Sequence, residues 1–158
     1  MSDLLWKHGE GTMIAFHRSI YVSNKFYEIM TETPAEHVVL STNEDGSDGV
    51  PYKPTSFPVG VWNVRNPVSR TSPYTAPFFI PTDAHQWVEE WELDEHELYK
   101  CPTGRQVMDW GYGVHHSTCD YTFGCLRVLG VDDIMFLVNS INEALSGGQQ
   151  VTMEVLEA

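Results

Sequence analysis

Apolar and polar positions alternate through much of this chain. Met13-Ile14-Ala15-Phe16 and Ile20-Tyr21-Val22 flank the polar His17-Arg18-Ser19, and Phe26-Tyr27-Glu28-Ile29 follows Ser23-Asn24-Lys25. β-Branched and aromatic runs parted by short polar turns predict β-hairpins. Glu36-His37-Val38-Val39-Leu40-Ser41 reads as a further strand, 43–49 as a loop by composition, and Val59–Val64 as another alternating strand. Residues 65–77, rich in Pro, Ser and Thr, read as a long loop, and Pro77–Pro81 as a short apolar strand between prolines.

The spacing predicts one clear helix, over 132–145. Ile134, Leu137, Val138, Ile141 and Leu145 fall on one helical face, Asp132 or Asp133 can cap the start, and Ser146-Gly147-Gly148 stops it. Gln150–Val155 alternates as a closing strand, and Val107–Val114 reads as a strand leading into a histidine pair. Residues 82–99 fit either a helix capped by Asp83, with Trp87 and Trp91 one turn apart, or an insertion. The expected class is β-rich α+β, one domain over 1–158, with one main helix near the C-terminus.

Composition supports a packed core. The chain has 158 residues, 42% of them hydrophobic, with five Trp, seven Tyr and seven Phe. A domain of that size buries about 70% of its unfolded surface. Three cysteines make an odd count, a poor fit to a small disulfide-stapled scaffold. The formal net charge of −13, with only nine Lys and Arg and no run of them, argues against nucleic acid and against an anionic membrane surface. The acidity serves solubility first and tolerates a substrate carrying amino groups. No stretch nears the ~20 apolar residues of a membrane span, so no membrane insertion is expected. Met1–Lys7 is too short and mixed for a signal peptide, which predicts cytoplasmic synthesis and action after release or delivery.

The chemistry concentrates in residues 113–128. His115 and His116 end a strand-like segment, and Gly124-Cys125-Leu126-Arg127 follows. An imidazole, a thiol, a glycine beside the thiol and a fixed cation are the parts of acyl transfer through a cysteine. Gly124 lets the backbone turn sharply and a substrate carbonyl approach. The Cys125 N–H could contribute to an oxyanion hole. Adjacent histidines in a strand point to opposite faces, so at most one of the two faces the thiol. Arg127 shares the face of Cys125 if the segment is extended, and a guanidinium can grip a carboxylate with two hydrogen bonds. The rival chemistry is a metal site from His115, His116, Cys119 and Cys125. The diverging histidines and the lack of a close cysteine pair weigh against it, so no metal is expected. Cys119 could instead form a disulfide with Cys125, and Cys101 carries no motif.

Val114-His115 together with Thr122-Phe123-Gly124-Cys125-Leu126-Arg127 resembles the signature of the L,D-transpeptidase family of cell-wall enzymes. Val38–Thr42 resembles that family's V-S-T-G strand, and Pro54–Trp62 its T-P-x-G-x-aromatic turn. In order, the resemblance spans roughly residues 14–156. Phe123 stands where the family usually has a histidine, and His116 where it has Gly or Ser. The spacing from His to Cys is shorter than in typical secreted members and closer to that of compact, phage-type relatives. The resemblance implies a mixed β-sandwich, no cofactor, and peptidoglycan stem peptides as substrate. It implies Cys125 as nucleophile, His115 as base with His116 as second choice, and Arg127 as a further catalytic cation. Gly124, Ser117 and Phe123 would contact substrate. Two alternatives stand beside it: a phage-type peptidoglycan hydrolase on the same scaffold, and a non-catalytic wall-binding or structural protein.

Overall fold

The computed structural model describes residues 2–24, 38–119 and 122–158. In chain order its elements are β1 (Leu4–Lys7), β2 (Thr12–Ala15), β3 (Arg18–Ser23), β4 (Val39–Thr42), β5 (Asp48–Tyr52), β6 (Gly60–Val64), β7 (Val68–Ser69), β8 (Phe78–Pro81), β9 (Gln86–Leu93), β10 (Tyr99–Asp109), β11 (Gly113–His116), β12 (Leu126–Val128), α1 (Val131–Ser146) and β13 (Val151–Leu156). The protein is thus β-rich α+β, with two sheets and its helix near the C-terminus.

Nine strands form the larger sheet, in the order β6-β13-β1-β2-β3-β12-β11-β8-β7, and β10-β9-β5-β4 form the smaller. The larger sheet is mixed: β1 runs parallel to β13 and β11 parallel to β12, and its other pairs are antiparallel. A bridge between Val64 and Thr82, and a hydrogen bond from Arg65 N–H to the Pro81 carbonyl, bring β6 back against the end of β8. The accumulated strand twist therefore curls the sheet far enough to bring its edge strand β6 against the end of β8, the strand next to the opposite edge. In the smaller sheet Thr42 of β4 likewise bridges to Trp110 beyond β10.

The core follows from strand alternation. Leu4, Met13, Ala15, Ile20, Val114, Leu126, Val128 and Met153 turn to one face of the larger sheet and are buried. The helix lays Ile134, Leu137, Val138 and Ile141 into the same core. Full burial of each such large aliphatic side chain stabilises by about 1.5–3 kcal/mol.

Several expectations need adjusting. The hairpin turn of β2 and β3 falls on Phe16 and His17, both at positive φ, one position earlier than the polar run suggests. The expected Phe26–Ile29 strand lies outside the described residues. The helix is capped at its start by the extended backbone of Gly130 with no side-chain bond, because Asp132 and Asp133 already sit within the first turn. Asp133 there pairs with Arg18. Residues 86–93 are a strand, not a helix. β9 finds a ladder partner along β10, and alternation buries Val88 while leaving Trp87 63% exposed. Asp83 is no helix cap; it accepts hydrogen bonds from the Asn63 backbone and side chain at 2.6 and 2.8 Å. The strand expected from Val107 to Val114 is broken at Trp110–Tyr112, so its two halves serve different sheets. Among the described residues no helix is long and apolar enough to cross a membrane.

Candidate active site

β11 and β12 lie side by side and parallel, with Val114 opposite Leu126, His115 opposite Arg127 and His116 opposite Val128. Alternation decides what each residue meets. Val114, Leu126 and Val128 enter the core under the helix, so His115 and Arg127 stand on the other face of the sheet. There the β4–β5 hairpin and the segment around Tyr74 leave a cleft of about 570 Å³. Leu40, Asp48, Tyr74, Phe79, His115 and Cys125 are among its walls, and Phe123 and Thr122 line it as well. His115 and Cys125 are therefore brought to one cavity. His116 is turned elsewhere, its Nδ1–H donating to the Val128 carbonyl at 2.9 Å.

The turn that carries the thiol is tightly specified. Gly124 has φ 110°, a backbone state that side chains rarely tolerate. A Cβ there would lie 2.9 Å from both the Thr55 carbonyl oxygen and the Tyr112 ring. The Thr122 hydroxyl donates to the Cys125 carbonyl at 2.6 Å. The side-chain amide of Asn24, just past the end of β3, donates to the carbonyls of both Gly124 and Cys125, each at 2.9 Å. Sequence reading missed Asn24, because nothing in the sequence links it to a turn so distant along the chain.

Burial sets the protonation states. It pushes the Cys125 thiol up to about 11; the Asp109 carboxylate adds to that rise, and the Gly113 N–H works against it. The thiol also makes a long contact, 3.8 Å, to the Gly111 carbonyl. Burial also lowers the pKa of His115, opposed by its bond to the His116 carbonyl and reinforced by the positive charge of Arg127. At neutral pH the resting pair is a neutral imidazole and a protonated thiol, not an ion pair.

His115 is 5% exposed, and its Nδ1 lies 3.0 Å from the His116 carbonyl oxygen. A carbonyl only accepts, so Nδ1 carries the proton and Nε2 keeps the lone pair of a base. Among the described residues no hydrogen bond joins this imidazole to the sulfur. The Phe79 ring flanks His115 at 6.0 Å between centroids.

Arg127 donates through Nη1 to the Ser117 carbonyl at 3.2 Å, while its Nε–H is buried and has no partner among the described residues. Ser117 is itself buried, and its hydroxyl oxygen accepts the Cys119 N–H at 2.9 Å. Its side chain thus supports the chain after β11 instead of lining the cleft. Cys101, Cys119 and Cys125 are all free thiols, so the Cys119–Cys125 disulfide is not formed. Among the described residues no three His, Cys, Asp or Glu side chains gather to hold a metal.

Behind the thiol lies a polar network that sequence reading did not find. Asp109, 2% exposed, accepts the Tyr112 hydroxyl at 2.6 Å and the Thr42 N–H at 2.7 Å. Gln86 donates to the Tyr112 oxygen at 2.8 Å and to Thr55 Oγ1 at 2.8 Å. Burial raises the pKa of Asp109 above the ordinary carboxyl value against these hydrogen bonds, and raises the Tyr52 and Tyr112 hydroxyls. The network ties β4 and β10 of the smaller sheet to the Tyr112 ring, on which Gly124 rests. No protein-family model, curated protein or solved structure matches the chain.

Proposed function

We propose that the protein is a cysteine acyl-transfer enzyme of L,D-transpeptidase-like, mixed-sandwich fold, acting on peptidoglycan stem peptides. The observation that carries this reading is the shared cleft. Cys125 on a glycine-led turn and His115 with its Nε2 lone pair exposed by tautomer line the same cavity. The resemblance of Val114-His115 and Gly124-Cys125-Leu126-Arg127 to the family signature supplies the substrate class.

In this reading the thiol is kept as S–H until substrate arrives. His115 Nε2 takes the thiol proton as the sulfur attacks the carbonyl carbon of the stem peptide. The S–C bond forms, the C–N bond breaks, and the proton passes from His115 to the leaving amine. An acceptor amine, or water, then attacks the thioester and gives its proton to His115, which returns it to the departing sulfur. Amine gives a cross-link and water gives hydrolysis. Arg127 is not among the residues lining the cleft, but its buried Nε–H, without a partner among the described residues, is a donor of the kind a carboxylate or carbonyl takes.

Incubation with defined stem peptides, with and without an acceptor amine, tests this by mass spectrometry. The expected result is a thioester on Cys125, absent in Cys125→Ala, followed by a cross-linked or shortened product. Absence of both adduct and product across tripeptide, tetrapeptide and pentapeptide stems would overturn the reading.

A further inference from the structure

We infer that Asn24 is a positioning residue that aims the Cys125 N–H at the developing oxyanion. The inference rests on the acyl-transfer reading of Cys125, though not on the identity of the acyl donor.

The geometry begins with the amide's two hydrogens. Asn24 Nδ2 has two N–H bonds, and two carbonyls, those of Gly124 and Cys125, lie 2.9 Å away. Both donors are therefore used on consecutive peptide units. A trans peptide holds its C=O and N–H antiparallel. Pinning the Gly124 carbonyl toward Asn24 therefore points the Cys125 N–H away from Asn24. Asn24 borders a different cavity, with Trp6, His8 and Ser56, while Cys125 opens on the reaction cleft. The amide hydrogen is thus aimed to the side from which a substrate carbonyl approaches the sulfur.

The turn needs such a clamp. Gly124 at φ 110° is free to flip its peptide plane, because no Cβ restrains it. The Tyr112 ring and the Thr55 carbonyl limit the space on one side. They act on the Cα and do not select the carbonyl's direction; Asn24 does. The Thr122 hydroxyl shares the Cys125 carbonyl with Asn24.

Substitution of Asn24 by Asp tests the inference, since a carboxylate has the same shape and no hydrogen to donate. Two reactions of Cys125 are compared in the full-length protein. Acylation by p-nitrophenyl acetate develops an oxyanion; alkylation by iodoacetamide displaces iodide and develops none. In Asn24→Asp the acylation rate constant should fall by about ten- to a hundredfold, below the about 10²–10³ lost when an oxyanion donor is deleted outright. Alkylation develops no oxyanion, so any slowing of it reports the effect of the new carboxylate on the thiolate, and the loss in acylation is read relative to it. Asn24→Ser, which keeps one donor, should fall between, and it serves also if the Asp variant does not fold. Parallel losses in both reactions would mean that Asn24 merely holds the turn together, and unchanged acylation would mean that it does not orient the N–H; either overturns the inference. A wild-type thiol that p-nitrophenyl acetate does not acylate would overturn it too. Acylation by this ester without reaction on wall peptides would sink only the substrate assignment.

Discussion

His115 and Arg127 are Cα partners across the parallel strands β11 and β12, with a neutral imidazole beside a permanent guanidinium charge. The pairing has a chemical consequence. Arg127 adds to burial in disfavouring a second proton on His115 and so helps hold its pKa below the ordinary histidine value. Burial at the same time keeps the proton on Cys125. In the proposed mechanism the proton therefore moves during reaction and no thiolate is stored beforehand.

This predicts a broad pH profile. His115 must be neutral to accept the thiol proton, so the acid limb of kcat/KM should fall below the ordinary histidine value of 6.5. The alkaline limb should lie near 11, where Cys125 loses the proton that must reach the leaving amine. Iodoacetamide labelling of Cys125, followed by peptide mass, should accelerate about tenfold per pH unit until that region, because the thiolate is the nucleophile. A labelling midpoint near 8 would show that the thiol is not held protonated. His115→Gln should cut turnover by about 10²–10⁴ while leaving the fold unchanged in circular dichroism.

Gly124→Ala should destabilise the protein and silence the thiol together. The positive φ alone costs an alanine on the order of 1–3 kcal/mol. The added methyl would meet the Thr55 carbonyl and the Tyr112 ring at 2.9 Å, and the backbone oxygen cannot swing away. Urea unfolding should show a lower midpoint. Wild-type stability in the variant would mean that the turn is free to rearrange.

Arg127→Lys keeps the positive charge beside His115 but removes the planar donor at Nε. The acid limb of the pH profile should therefore stay in place. Turnover on stem peptides should fall by about ten- to a hundredfold, the value of about 1.5–3 kcal/mol for a hydrogen bond to a charged group. The loss should shrink for fragments lacking the carboxylate. Full activity on every substrate would leave the buried Nε–H without a substrate role.

Asp109→Asn should alter how stability responds to pH. The folded state raises the pKa of Asp109, so the carboxyl stabilises most below its ordinary value of 3.8. That contribution is lost as pH rises through the higher folded value. The wild type should therefore compare more favourably with the variant near pH 4 than near pH 7, in urea midpoints measured side by side. A difference that does not vary with pH would show that Asp109 titrates normally.

The elements that sequence reading recovered are those in which one local pattern decides. The helix at 131–146 and the strands at 12–23, 60–64, 78–81 and 151–156 each carry a period that a single buried face enforces. The segment 86–93 was misjudged as a possible helix because Trp87 and Trp91 share a face in either geometry: four residues are one helical turn and also two strand repeats. The long partner β10 settled the matter, and a partner strand is not a local property. That His115 stands on the face opposite Val114 was legible, because strand alternation from the buried Val114 requires it. Ser117 was not legible, since its burial depends on the chain packed over it.

By itself the sequence determined the β-rich α+β class, the position of the helix and the small set of side chains able to do thiol chemistry. Those follow from periodicity and from residue type, which are fixed along the chain. Tertiary structure alone decided the rest: that His115 and Cys125 share a cleft, that Asn24 and Thr122 hold the Gly124–Cys125 turn, and that Asp109 and Tyr112 lie behind it. The protonation of the thiol also belongs to that second group. Burial, not sequence neighbours, provides the largest part of its shift, and burial exists only once distant strands have closed around it.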